Sequence, residues 1–169
     1  MDLSKSIEKA KSSRMNLRLL NLALTRLIPF NRPHKFKVIS LSDQSIKTFL
    51  PFRKKNLNHI QSLHACALAT LSEFTTGFML LSRLDPEKYR IILKSLHIDY
   101  HYQGKTDAVA EFSIDEAWLK EKILDVLELE EAAVVECKID IYDIKQNLLS
   151  TARVHWQLKE WKKVKTKLN

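Results

Sequence analysis

Apolar residues recur at helical spacing from Leu3 to about Ile28, with Met15, Leu19, Ala23 and Leu27 on one line and Leu20, Leu24 and Ile28 on another. Pro29 and Pro33 close this segment, so the pattern predicts an amphipathic N-terminal helix over residues 1–30. Two strand-like runs follow, 35–41 and 45–52, and the turn residues Ser42, Asp43 and Gln44 between them predict a hairpin. Residues 64–84 are different in kind: rich in alanine and leucine, apolar on most faces, with Glu73 as the internal acid. They predict a long helix buried nearly all round. Asp85 and Pro86 end it, and residues 89–103 then alternate, with Leu96, Ile98, Tyr100 and Tyr102 on one face. A turn at Gly104, a strand over 108–114, a short helix capped by Asp115 and running to about Leu127, and two long strands over 131–143 and 148–161 complete the pattern.

About six strands and one long apolar helix need an arrangement that hides the helix on all sides. A curved antiparallel sheet wrapped around it does so, because the helix then covers the inner face of the sheet. The expected class is α+β, a single domain over 1–169. Its parts are the N-terminal helix (1–30), the sheet-and-helix core (35–161) and a basic tail (162–169).

The chain has 169 residues and 45% hydrophobic content, enough for a real core. Lysine and arginine exceed aspartate and glutamate by 28 to 20, but the excess sits at the ends. Residues 1–26 and 159–169 each carry a net charge of +4, and the body between them is neutral. A duplex-reading module concentrates its basic stripe on a folded face, so nucleic acid is not expected as a partner. Only two glycines, Gly77 and Gly104, are present where average usage near 7% would give about twelve. That excludes Walker and dinucleotide glycine loops and the GxSxG nucleophile elbow. Cys66 and Cys137 form no CxxC pair, the start of the chain has no signal-peptide pattern, and no window holds 18 uninterrupted apolar residues. These features predict a cytoplasmic protein, with peripheral membrane contact through the basic termini as a weaker alternative.

The most informative stretch is residues 53–73, RKKNLNHIQSLHACALATLSE. Asn58-His59, His64-Ala65 and the run from Ala67 to Glu73 resemble the signature of hotdog-fold acyl-thioester hydrolases, in the branch related to the phenylacetate-pathway enzymes. The segment from Pro29 to Pro33, Asp99-Tyr100 and Val154-His155-Trp156 fit the same outline. The resemblance implies a hotdog fold and hydrolysis of an acyl-coenzyme A thioester, with coenzyme A as part of the substrate and no other cofactor. It also implies Glu73, His64 and Asn58 as catalytic residues. Binding without turnover is the alternative, because Gln61 and Cys66 stand where such proteins commonly place glycine.

Elementary chemistry agrees with these positions. Attack on a thioester carbonyl needs hydrogen-bond donors aimed at the developing oxyanion, and the backbone N–H groups of Ala65 and Cys66 at a helix start are suited to that. Glu73 can act as general base or nucleophile, and burial on an apolar helix should raise its pKa. His64 and Glu73 are nine residues apart, about 13 Å in rise and half a turn in direction. One helix cannot aim both at one carbonyl, so the reading predicts a homodimer or a dimer of dimers with sites at the interface. Arg53, Lys54 and Lys55 are candidates to hold the phosphates of coenzyme A, and His59 is a candidate pocket residue. His97, Asp99 and His101 have metal-ligand chemistry, but same-face strand neighbours lie nearly 7 Å apart, so no metal is assigned.

Overall fold

A computed structural model describes residues 3–164; residues 165–169 of the expected basic tail and the first two residues of the expected N-terminal helix lie outside it. That helix is in fact two, α1 (Leu3–Ser12) and α2 (Arg14–Leu27), because Ser13 leaves helical geometry and its hydroxyl accepts the Asn16 N–H at 3.4 Å. A serine cap in mid-segment starts a new helix without interrupting the apolar spacing, which is why periodicity alone does not show the break.

The described strands form one antiparallel sheet: β1 (Lys37–Leu41), β2 (Ser45–Leu50), β3 (Tyr89–Tyr100), β4 (Ala108–Ser113), β5 (Ala133–Asp143) and β6 (Leu148–Glu160), in the order β1-β2-β4-β5-β6-β3. The β1–β2 hairpin forms as expected, but β1 begins at Lys37 because Lys35 takes φ 60°, which a strand cannot accommodate. In β5 and β6 nearly every second residue is buried, so one face of each strand lies on the core. The turn between them is held by the Asp143 carboxylate, which accepts the Lys145 and Asn147 N–H groups and the Asn147 amide, each at 2.9 Å. Burial pushes that carboxyl's pKa up, but the hydrogen bonds outweigh it and the group sits below the usual aspartate value.

Helix α3 (Ala65–Arg83) crosses the inner face of the sheet and contacts β2, β3, β4, β5 and β6. Leu71, Met79 and Leu80 are wholly buried beneath it, each worth roughly 1.5–3 kcal/mol relative to exposure. It is the one described helix long and apolar enough to cross a membrane by composition, and here that apolarity serves the core. Polar groups on it are paired: Thr75 Oγ1 lies 2.6 Å from Thr48 Oγ1 of β2, and the Trp156 indole N–H donates to Thr76 Oγ1 at 3.0 Å. The expectation that α3 is covered all round needs correction. Cys66, Thr70, Glu73, Gly77 and Leu81 recur at spacings of four, three, four and four, and none of them is buried. One stripe along the helix is open.

Asp115 caps the fourth helix as expected, accepting the Trp118 N–H at 2.7 Å. This helix, α4, spans 116–129 and includes a π turn over Lys120–Leu124.

Candidate active site

The loop from Pro51 to His64 carries most of the residues singled out in the sequence, and its shape is set by two asparagines. Asn56, almost fully buried, donates from its side chain to the Pro51 and His34 carbonyls at 2.8 and 3.0 Å, while its own carbonyl accepts the His64 N–H at 2.8 Å. Asn58 closes the next turn: its Oδ1 accepts the N–H groups of Ile60 and Ser62, both at 3.1 Å, and its Nδ2 donates to Ser62 Oγ at 2.8 Å. The Asn58 side chain is thus spent on the loop itself. Gln61, at the apex of that turn, has φ 57°, the left-handed region that favours glycine. Lys105 ties the apex down through Nζ contacts to the carbonyls of Ile60 (2.8 Å) and Gln61 (3.0 Å).

His64 is the N-cap of α3, and its Nδ1 accepts the Cys66 N–H at 3.0 Å. The pair of free amides expected at Ala65 and Cys66 is therefore one free amide. The Ala65 N–H finds no acceptor among the described residues, and the Cys66 N–H is held by the imidazole of its own cap. The Tyr100 hydroxyl donates to the Ala65 carbonyl at 3.0 Å, and burial, with Cys66 nearby, raises its pKa. Asn58, Ala65, Leu68 and Tyr100 line a shallow groove of about 280 Å³ at the helix start. His59 is exposed on the loop beside it. Lys54 and Lys55 are exposed, Arg53 is half-buried, and none of the three has a carboxylate partner among the described residues.

Glu73 occupies a second groove, two turns further along α3. Its walls are Ile28, Asn31, Phe78, Leu81, Ile91 and Trp156, enclosing about 210 Å³. Its carboxylate has no hydrogen bond or ion pair among the described residues, and burial alone pushes its pKa above the ordinary glutamate value. The floor is Gly77: a Cβ there would stand 2.6 Å from two carbons of the Trp156 ring, so the indole lies against bare backbone. Gly77 does not follow from motif spacing, whereas Trp156 belongs to the segment that fits the resemblance, and the alternation of β6 places it on the inner face.

One chain therefore brings Asn58, His64 and Ala65 together and leaves Glu73 apart. Cys66 and Glu73 share the open stripe but are seven residues distant, about 10 Å along the axis. On the outer face of the sheet, Asp99 contacts His97 (3.3 Å) and Arg153 (3.5 Å), while His101 Nε2 lies 3.1 Å from Thr151 Oγ1. These residues do not converge on a common centre, and no group of metal ligands forms among the described residues. Cys137 faces the core, where burial pushes its thiol up to about 12.

This architecture is that of known thioesterase folds. A Pseudomonas aeruginosa protein of unknown function, described as a probable thioesterase, superposes with TM-score 0.77 at 22% identity over 85% of this chain and 95% of its own. A Haemophilus influenzae thioesterase superposes with TM-score 0.66 at 12% identity over 85% and 90%. A Chlorobaculum tepidum protein of unknown function gives TM-score 0.74 at 13% identity over 89% and 98%. Together they place the chain in the hotdog class, α+β with a curved antiparallel sheet around one central helix. Within that class the chain belongs to the family described as Domain of unknown function (DUF4442), which residues 17–158 match. No curated protein matches the chain in sequence.

Proposed function

We propose that this protein hydrolyses acyl thioesters of coenzyme A at sites shared between two copies of the chain. The observation that carries the reading is Glu73, an unpaired carboxylate with a raised pKa in a largely apolar groove of about 210 Å³. In water a glutamate is a weak base; with its pKa raised it accepts a proton more readily near neutral pH. Glu73 takes a proton from water as the oxygen attacks the thioester carbonyl, and the Ala65 N–H at the positive end of α3 stabilises the oxyanion. The C–S bond then breaks, and the proton held by Glu73 leaves with the coenzyme A thiol. Attack by the Glu73 carboxylate itself, followed by hydrolysis of the anhydride, uses the same geometry.

Glu73 and the Ala65 amide are too far apart on one helix to meet one carbonyl, so the site requires a second copy. Strand β3 supports this: it is an edge strand with one side unpaired, and Ile92 and Leu93 on it are exposed. Arg53, Lys54 and Lys55 are the cations for the coenzyme A phosphates, with His59 at the pocket rim, His64 orienting the helix start and Asn58 shaping the loop. Coenzyme A enters only as part of the substrate, and the cytoplasm is the expected compartment. The descriptions of the Pseudomonas and Haemophilus neighbours as thioesterases support the reaction class.

The contact between His64 and the Cys66 amide favours a second reading, acyl-thioester binding without turnover, because it occupies a donor that catalysis could use. Thiol release from a panel of short, long and aromatic acyl-coenzyme A esters separates the two. Hydrolysis that disappears in Glu73→Ala supports the thioesterase; saturable binding with no release from any ester supports the binding protein.

A further inference from the structure

From Arg14 to Ser42 the chain contains no acidic residue and six cations, Arg14, Arg18, Arg26, Arg32, Lys35 and Lys37, all of them exposed. Helix α2 lies within this stretch. Its inner face buries Leu20, Ala23 and Leu24 against the body of the fold, while Met15, Leu19 and Leu22, at spacings of four and three, stand more than half exposed on the outer face. Arg14, Arg18 and Arg26 project from the same outer side and have no carboxylate partner among the described residues. Leu27, the last residue of the helix, and Phe30 just past it are also more than half exposed.

We infer that the outer face of α2 docks onto an anionic phospholipid surface, its leucines and methionine entering the interface and its arginines meeting the headgroup phosphates. An apolar strip interleaved with unpaired cations and free of acids is the composition of a helix that lies in a bilayer interface. A second copy is a poor occupant. A two-fold contact through this face would bring six arginines into one interface with no acid on the face to offset them. The docking is independent of hydrolysis, but it has a consequence for access. The groove that holds Glu73 is walled by Ile28 and Asn31, just beyond the end of α2, so a docked helix brings that groove next to the lipid.

The test is co-sedimentation of the full chain with phosphatidylcholine vesicles, with and without phosphatidylglycerol, for three proteins: the native chain, Arg14→Gln/Arg18→Gln/Arg26→Gln, and Leu19→Ser/Leu22→Ser. All five positions are exposed, so both variants should melt as the native chain does. Each arginine near an anionic surface contributes roughly a fivefold gain in partitioning, so the triple variant should bind phosphatidylglycerol vesicles roughly a hundredfold more weakly. The leucine variant should also lose binding, although its charge is unchanged; adsorption through the C-terminal lysines would not show this. Three results overturn the inference: equal binding to neutral and anionic vesicles or to neither, retention of binding by either variant, or a change of solution mass in the leucine variant, which would make the face a protein contact.

Discussion

Replacing Gly77 with alanine puts two opposing effects in direct competition. Alanine in a helix interior is favoured over glycine by about 1 kcal/mol. Here, however, the new methyl would stand 2.6 Å from Cη2 and Cζ2 of Trp156, and the indole must retreat by about 0.8 Å to restore even a tight 3.4 Å contact. The indole is nearly buried and tethered by its N–H to Thr76 Oγ1 at 3.0 Å, so that retreat strains the packing and stretches the hydrogen bond. Overpacking of a filled core costs about 1–3 kcal/mol and a lost buried hydrogen bond about 1 kcal/mol. The net is a destabilisation of about 2 kcal/mol, or about 4–8 °C in Tm for a chain of this size. Thermal unfolding of Gly77→Ala in the native and Trp156→Phe backgrounds measures it. In the second background the clash is relieved and the alanine should be neutral or stabilising. A Gly77→Ala protein as stable as the native one, or an equal penalty in both backgrounds, would refute the close packing of α3 on β6 that floors the Glu73 groove.

Glu73→Gln should stabilise the fold at neutral pH. A carboxyl whose pKa is raised in the folded state contributes stability that is present below its unfolded value near 4.5 and lost as the pH rises through the folded value, so the gain should vanish in acid; a gain that persists unchanged below pH 4 contradicts burial as its cause. Asp143→Ala should cost about 1–3 kcal/mol at neutral pH, because three donors lose a carboxylate acceptor. Its pKa is lowered, so that cost should shrink as the pH falls from the unfolded value of 3.8 through the folded one, as chemical denaturation at stepped pH will show. Gln61→Gly should raise stability by a few tenths to about 1 kcal/mol, because relief of the left-handed backbone exceeds the entropy that glycine adds to the unfolded chain; a lower Tm would contradict the loop geometry.

The elements most legible in the sequence were those whose pattern and burial agree. The alanine- and leucine-rich run became α3, the two long strands expected over 131–143 and 148–161 became β5 and β6, and Asp115 capped the helix it was expected to cap. The break at Ser13 was hidden because both halves continue one apolar spacing. The open stripe on α3 was hidden for a related reason: Cys66, Thr70, Gly77 and Leu81 are small or apolar, and nothing in their chemistry distinguishes a groove lining from a core contact. Glu73 was legible as the one acid in that helix, but the groove around it depends on Ile28, Ile91 and Trp156, which come from three other parts of the chain. The donor arrangement at the start of α3 could not be read from spacing either, since it turns on the His64 rotamer that brings Nδ1 onto the Cys66 amide.

The central claim, a thioester site built from Glu73 of one copy and the helix start of another, is tested most directly by complementation. Ala65→Pro removes the free amide while suiting its position, because proline is favoured in the first turn of a helix and His64, at φ −67° and ψ 138°, already has the backbone that a following proline requires. Glu73→Ala and Ala65→Pro chains should each be folded and inactive toward acyl-coenzyme A. Co-expressed in equal amounts, they should recover about a quarter of the native thiol release, since half of randomly paired dimers are mixed and each mixed dimer holds one intact site of two. Full activity in either variant alone, or folded mixed dimers that release no thiol, would contradict the account.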